Sequence, residues 1–235
     1  MCFSASASFT AGAFLIPTGA YCIYSSVELK RYHYIMLAFV PLFFGVQQLI
    51  EGGVWLSMAA NAERATHYFS VGFLFFSNFF WPFWIPLSAY FIARNKKCSR
   101  AWIKLLFAII GTILGLCAFI PSLIDPNSVQ TQMCARSIQY SAHTFLNAIL
   151  GTSIPKYIYI AVIIIPLWIS RDWAIKLFGT LILVSVIVTY LFYSYAFNSV
   201  WCFFSAVISI YVVYLIRREK EYGLNFEVKD LGDEP

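Results

Sequence analysis

Three strongly polar side chains, Gln47, Gln48 and Glu51, stand inside an otherwise apolar run, Phe43-Phe44-Gly45-Val46-Gln47-Gln48-Leu49-Ile50-Glu51-Gly52-Gly53-Val54-Trp55. In a helix Gln47, Glu51 and Trp55 recur every turn and Gln48 precedes Glu51 by three residues, so all four border one face. If that helix crosses a bilayer, a carboxylate in it is costly unless it faces the bundle interior and finds partners. Such a face can bind an ion or a small polar molecule, or take up and release a proton. A hydrogen-bond clamp around a neutral Glu51, with no ligand at all, is the structural alternative. Gly45, Gly52 and Gly53 allow a neighbouring helix to come close.

A second stretch, Ser77-Asn78-Phe79-Phe80-Trp81-Pro82-Phe83-Trp84-Ile85-Pro86, could supply partners. Pro82 has no N–H for the carbonyl of Asn78, and Pro86 has none for that of Pro82. The sequence therefore predicts a helix kinked around residues 78 to 86, in which Asn78 offers a side-chain amide and a freed carbonyl. A kink that only shapes the bundle is the alternative. The indoles of Trp81 and Trp84 fall in the helix interior, where each N–H needs an acceptor.

Between about residues 122 and 154, Ile138, Ala142, Phe145, Leu146 and Ile149 follow helical spacing, with Tyr140, His143 and Asn147 on another face. This predicts a short amphipathic helix over Arg136 to Leu150, lying on the outer surface, from which His143 and Asn147 could roof the Glu51 pocket. Cys2 becomes N-terminal if Met1 is removed, which makes it a candidate reactive thiol. Cys2, Cys134 and Cys202 all fall toward the outer side, where two of them could form a disulfide in an oxidising compartment. The six cysteines show no C-x-x-C spacing, and one histidine beside one glutamate falls short of a ligand set. No metal or cofactor is therefore assigned.

The elements that must hold these residues follow from composition. The 235-residue chain is 60% hydrophobic and 11% charged, with a mean hydropathy of +0.74, far from the balance of a water-soluble domain. Apolar runs at about residues 5 to 27, 35 to 57, 69 to 93, 102 to 121, 155 to 169, 174 to 196 and 200 to 216 predict an all-α integral membrane bundle of about seven transmembrane helices. With the N-terminus outside, the inner connections hold the cluster Arg94, Lys96, Lys97, Arg100 and Lys104 as well as Arg171, Lys176, Arg217 and Arg218. The outer ones hold only Arg64, Arg136 and Lys156, as the positive-inside rule requires. Residues 1–221 then form one membrane domain and 222–235 a polar cytoplasmic tail. The net charge of +5 serves orientation in this reading, so lipid is the expected partner and nucleic acid is not. Gly111-Thr112-Ile113-Leu114-Gly115 is a GxxxG that predicts close helix packing, within the chain or in a homo-oligomer.

Absent groups argue against two seven-helix families. Residues 200 to 216 contain no lysine for a retinal Schiff base, and no histidine lies inside a predicted transmembrane helix, as alkaline ceramidase-like hydrolases need. The opening Met1-Cys2-Phe3-Ser4-Ala5, with Gln47-Gln48-Leu49-Ile50-Glu51-Gly52, resembles an uncharacterised family of small polytopic bacterial membrane proteins. The resemblance covers most of the chain and implies a bacterial origin and a cell-membrane location, but no substrate. Transport or sensing of an ion or small molecule is the expected function. An intramembrane hydrolase using Glu51, His143 and Cys2, and a non-catalytic assembly subunit, are the alternatives.

Overall fold

The structure is a computed structural model that describes residues 4–95, 100–125, 128–134, 137–142 and 154–219. It is predominantly helical. Helix α1 (Ala5–Glu28) is capped by the Ser4 side chain. A 3-10 turn (Tyr32–Tyr34) and the short α2 (Ile35–Ala38) lead into α3 (Val40–Ala59), with Pro41 in its first turn, where no N–H is needed. Helix α4 (Glu63–Leu74) passes through a π-helical segment (Phe75–Phe80) into α5 (Trp81–Asn95). After α6 (Ala101–Ile124) come strands β1 (Val129–Cys134) and β2 (Ser137–Ala142), then α7 (Ile154–Trp168) and α8 (Trp173–Tyr193). A 3-10 turn (Ser194–Ala196) reverses the chain into α9 (Phe197–Ile208), and residues 211–219 continue as helix.

Among the described residues, four helical stretches, Tyr32–Ala59, Glu63–Asn95, Ala101–Ile124 and Trp173–Glu219, are long and apolar enough to cross a membrane, and α7 is a shorter apolar helix. The surface shows why they need lipid. Ile109, Ile113, Leu116 and Ile120 line the exposed side of α6, while Val184, Ile187, Leu191 and Phe192 line that of α8. The polar residues Gln47, Gln48 and Glu51 are turned inward instead. The chain is a multi-span membrane protein.

The helices close into a ring. Helix α1 lies along α3, α3 on α4, α5 on α6 and α7, α7 on α8, and α8 on α9, which returns to α3 and α1. Glycines set the closest approaches: a Cβ on Gly19 would lie 2.4 Å from the Leu42 backbone nitrogen, and one on Gly111 would lie 1.8 Å from the Pro82 carbonyl oxygen. Pro86 leaves that carbonyl without its intrahelical donor, and the bare Gly111 lets α6 pack directly against it. The GxxxG of α6 is thus used within the chain, with Gly115 against the Phe79 backbone.

The segment expected to be an outer amphipathic helix is different over its first part. Ser137–Ala142 is a strand, paired antiparallel with β1 from Val129↔Ala142 to Cys134↔Ser137. Residues 138, 140 and 142 also satisfy a two-residue repeat, and that repeat prevails because Ile138 packs on Val54 and Trp55 while Tyr140 stacks on Phe73. Residues 143–153 lie outside the described part. The hairpin also covers Trp55. Trp201 is buried against Tyr159, whereas Trp102, Trp168 and Trp173 are exposed as interfacial residues should be.

Gly111→Ala should destabilise the bundle by about 1–3 kcal/mol, because its methyl group meets rigid backbone. Gly72→Ala, whose Cβ meets nothing closer than 3.4 Å, should be neutral or slightly stabilising. Thermal unfolding of the two variants in detergent would show this difference, and equal melting temperatures would contradict it.

Candidate functional site

Helix α3 carries Gln47, Gln48 and Glu51 into the centre of the ring, all of them buried. The Gln48 amide nitrogen donates to Glu51 Oε2 at 3.1 Å, and the Ser199 hydroxyl of α9 donates to Glu51 Oε1. Among the described residues, Glu51 has no ion-pair partner. The Trp81 indole of α5 donates to Gln47 Oε1 at 2.8 Å. These bonds fix both amide orientations, which an isolated glutamine would leave open. Each amide then has one arm without a hydrogen-bond partner among the described residues: Gln47 Nε2, a donor, and Gln48 Oε1, an acceptor, both buried.

Two further orphaned polar atoms belong to this region. The hydroxyl of Tyr140 descends from β2 and is buried without a partner among the described residues. Burial pushes this phenol well above its ordinary range, and the Glu51 charge and the Cys202 thiol act in the same direction. The hairpin that carries it is anchored by Thr131 Oγ1, which donates to Ser70 Oγ at 2.8 Å. Trp201 Nε1, also unpartnered among the described residues, lines a small cavity of about 30 Å³ with Phe44, Trp81, Tyr159, Cys202 and Ser205. Cys202 borders both places, lining this cavity and lying beside Gln47 and Glu51.

The kink expected around Asn78 takes a specific form. Residues Phe75–Phe80 are π-helical, and the Trp81 N–H bonds to the Phe76 carbonyl five residues earlier. In that register the carbonyl deprived by Pro82 is that of Ser77, not of Asn78. The Tyr159 hydroxyl fills the gap, donating to Ser77 O at 2.5 Å. Asn78 itself accepts from the adjacent Ser77 hydroxyl at 3.2 Å and is tied to Glu51 by no direct hydrogen bond. The two interior indoles find the acceptors they need: Trp84 Nε1 donates to the Met36 carbonyl at 2.9 Å, as Trp81 does to Gln47.

Of the residues singled out from sequence, Gln47, Gln48 and Glu51 come together, while Asn78 lies on the partner helix without joining them. Cys2, His143 and Asn147 lie outside the described residues. Cys134 in β1 is exposed and Cys202 in α9 is buried, both as free thiols, so these two form no disulfide with each other. No group of metal-ligating side chains occurs among the described residues. Ser199, Tyr140, Trp201 and Cys202 were missed as members of the site. A serine, cysteine or tryptophan in an apolar helix carries no signal of its own, and Tyr140 had been placed on a helix.

Residues 1–225 match the model of a family of unknown function, DUF6629, and the chain belongs to that family. No curated protein and no solved structure matches it.

Tyr159→Phe should strand the Ser77 carbonyl at a cost of about 1–3 kcal/mol. Unfolding at the wild-type temperature, with the same cooperativity, would show that this bond is not made.

Proposed function

We propose that this protein binds and releases a proton or a small cation at Glu51, as a transporter or sensor in the cell membrane. The observation that carries the reading is a fully buried carboxylate held by two neutral donors, the Ser199 hydroxyl and the Gln48 amide, with no cation beside it among the described residues. A carboxylate kept only for structure is normally matched by an Arg or Lys. One left with neutral partners can accept a proton or cation without breaking an ion pair. The remaining arms of Gln47 and Gln48 and the Tyr140 hydroxyl, none with a partner among the described residues, offer it further donors and acceptors.

The membrane arrangement that supports this reading has seven spans: α1, α3, α4 with α5, α6, α7, α8, and α9 with residues 211–219. The 47-residue stretch Trp173–Glu219 is too long for one crossing, and α9 packs back on α8 after the 3-10 turn. With the N-terminus outside, the hairpin and Glu51 lie toward the outer surface, and the basic residues Lys30, Arg31, Arg94, Arg100 and Arg218 lie toward the cytoplasm. The pocket comprises Gln47, Gln48 and Glu51, completed by Ser199 and roofed by Tyr140.

Infrared difference spectroscopy of the protein in lipid nanodiscs tests the reading. A pH titration should reveal a carboxylic-acid C=O band that Glu51→Gln removes. If the titration shows no band that depends on Glu51, Glu51 is a fixed clamp and the proposal fails.

A further inference from the structure

We infer that the interior face of α9 carries protons between Glu51 and a second charged cluster at the opposite end of the bundle, through water held in the aromatic cavity. The inference rests on the reading of Glu51 as a proton-binding group and extends it from a site to a path.

The second cluster joins three separate parts of the chain. Arg218 pairs with Asp172, which also caps α8, and lies 3.5 Å from Glu219. The fully buried Tyr34 hydroxyl donates to Glu219 at 2.9 Å and lies 3.4 Å from Asp172. From Ser199 to Arg218 the helix rises roughly 28 Å at 1.5 Å per residue. That is close to the ~30 Å thickness of the hydrocarbon core. Two carboxylate sites therefore stand near the two ends of a membrane-length helix, and both are largely shielded from solvent.

What lies between them is polar along one side. Ser199, Cys202, Ser205 and Ser209 are spaced by three, three and four residues, which places them on one helical face, and all are buried. Ser199 bonds Glu51, and Cys202 and Ser205 line the cavity. The Trp201 N–H, without a partner among the described residues, lines the same cavity, and a buried donor left so is better satisfied by a water than by nothing. A volume of about 30 Å³ accommodates roughly two waters. Phe178 forms the far wall and stacks on Tyr211, with ring centroids 6.1 Å apart. The Tyr211 hydroxyl is buried without a partner among the described residues, and Tyr211 stands two turns before Arg218 on the same face of the helix. A proton moving along this line breaks one O–H bond and forms another at each hop. One proton enters at one end and one leaves at the other, so no oxidant, reductant or co-reactant is needed.

The test uses the full-length protein in proteoliposomes that enclose a pH-sensitive dye, with a potassium diffusion potential driving protons inward. Acidification should exceed that of protein-free vesicles, and Glu51→Gln and Tyr211→Phe should each slow it about tenfold or more. Tyr211→Phe keeps the stacked ring and removes only the unpartnered hydroxyl, so it should fold normally. Ser205→Val, which replaces a cavity hydroxyl with an apolar group, should slow the flux as well. Flux no greater than in empty vesicles, or wild-type flux in both Tyr211→Phe and Ser205→Val, overturns the path. The infrared band of Glu51 in the same preparations separates the two readings. If the band is present without flux, the path falls and the Glu51 site stands; if band and flux are both absent, both fall.

Discussion

A carboxylate enclosed in a bundle that faces hydrocarbon persists only where donors reach its oxygens, because no solvent is available to do so. Glu51 meets that requirement with one donor from its own helix and one from α9, 148 residues further along the chain. The Ser199 bond is therefore also a topological constraint. It requires α9 to return to α3 and so closes the ring of helices. The Trp81 bond to Gln47 makes α5 the third wall. Much of the interior geometry follows from three polar side chains on one turn and a half of α3.

The prolines and glycines answer a second constraint of the same kind, since every backbone carbonyl in such a bundle needs a partner. Pro82 deprives Ser77 of its donor, and Tyr159 supplies one from α7. Pro86 deprives Pro82, and Gly111 lets the backbone of α6 lie against the freed carbonyl, where weak Cα–H contacts are available. Each break in one helix thus becomes a point of attachment for another. This is how a segment with two prolines and a π-helical turn can stand at the centre of the fold rather than at its edge.

Much of this was legible in the sequence. The apolar runs marked the helices, most of them to within a few residues, although α4 begins six residues before its run. Glu51 with its two glutamines stood out because ionisable residues are rare in such stretches. The prolines marked the third apolar run as broken, but the choice of Asn78 assumed an α-helical register. The π turn moved the deprived carbonyl back by one residue. The hairpin was illegible for a related reason: Ile138 and Ala142 fit both a helical and an alternating pattern, and only contacts with Trp55 and Phe73, distant in sequence, decide between them. Ser199 and Trp201 gain meaning from their neighbours across the ring, which spacing within one helix cannot supply.

The central claim is that Glu51 is held by neutral donors and balances no buried cation among the described residues. Equilibrium unfolding of Glu51→Gln measures this most directly, since the amide keeps the shape and removes the charge. Its new N–H can be accepted by the Ser199 hydroxyl, which accepts as well as donates. Stability within about 1 kcal/mol of wild type is expected, because no opposite charge is left behind. A loss of about 3–5 kcal/mol is the penalty for stranding a buried cation. A loss of that size would mean that Glu51 is one half of an ion pair, and would contradict the reading of this site.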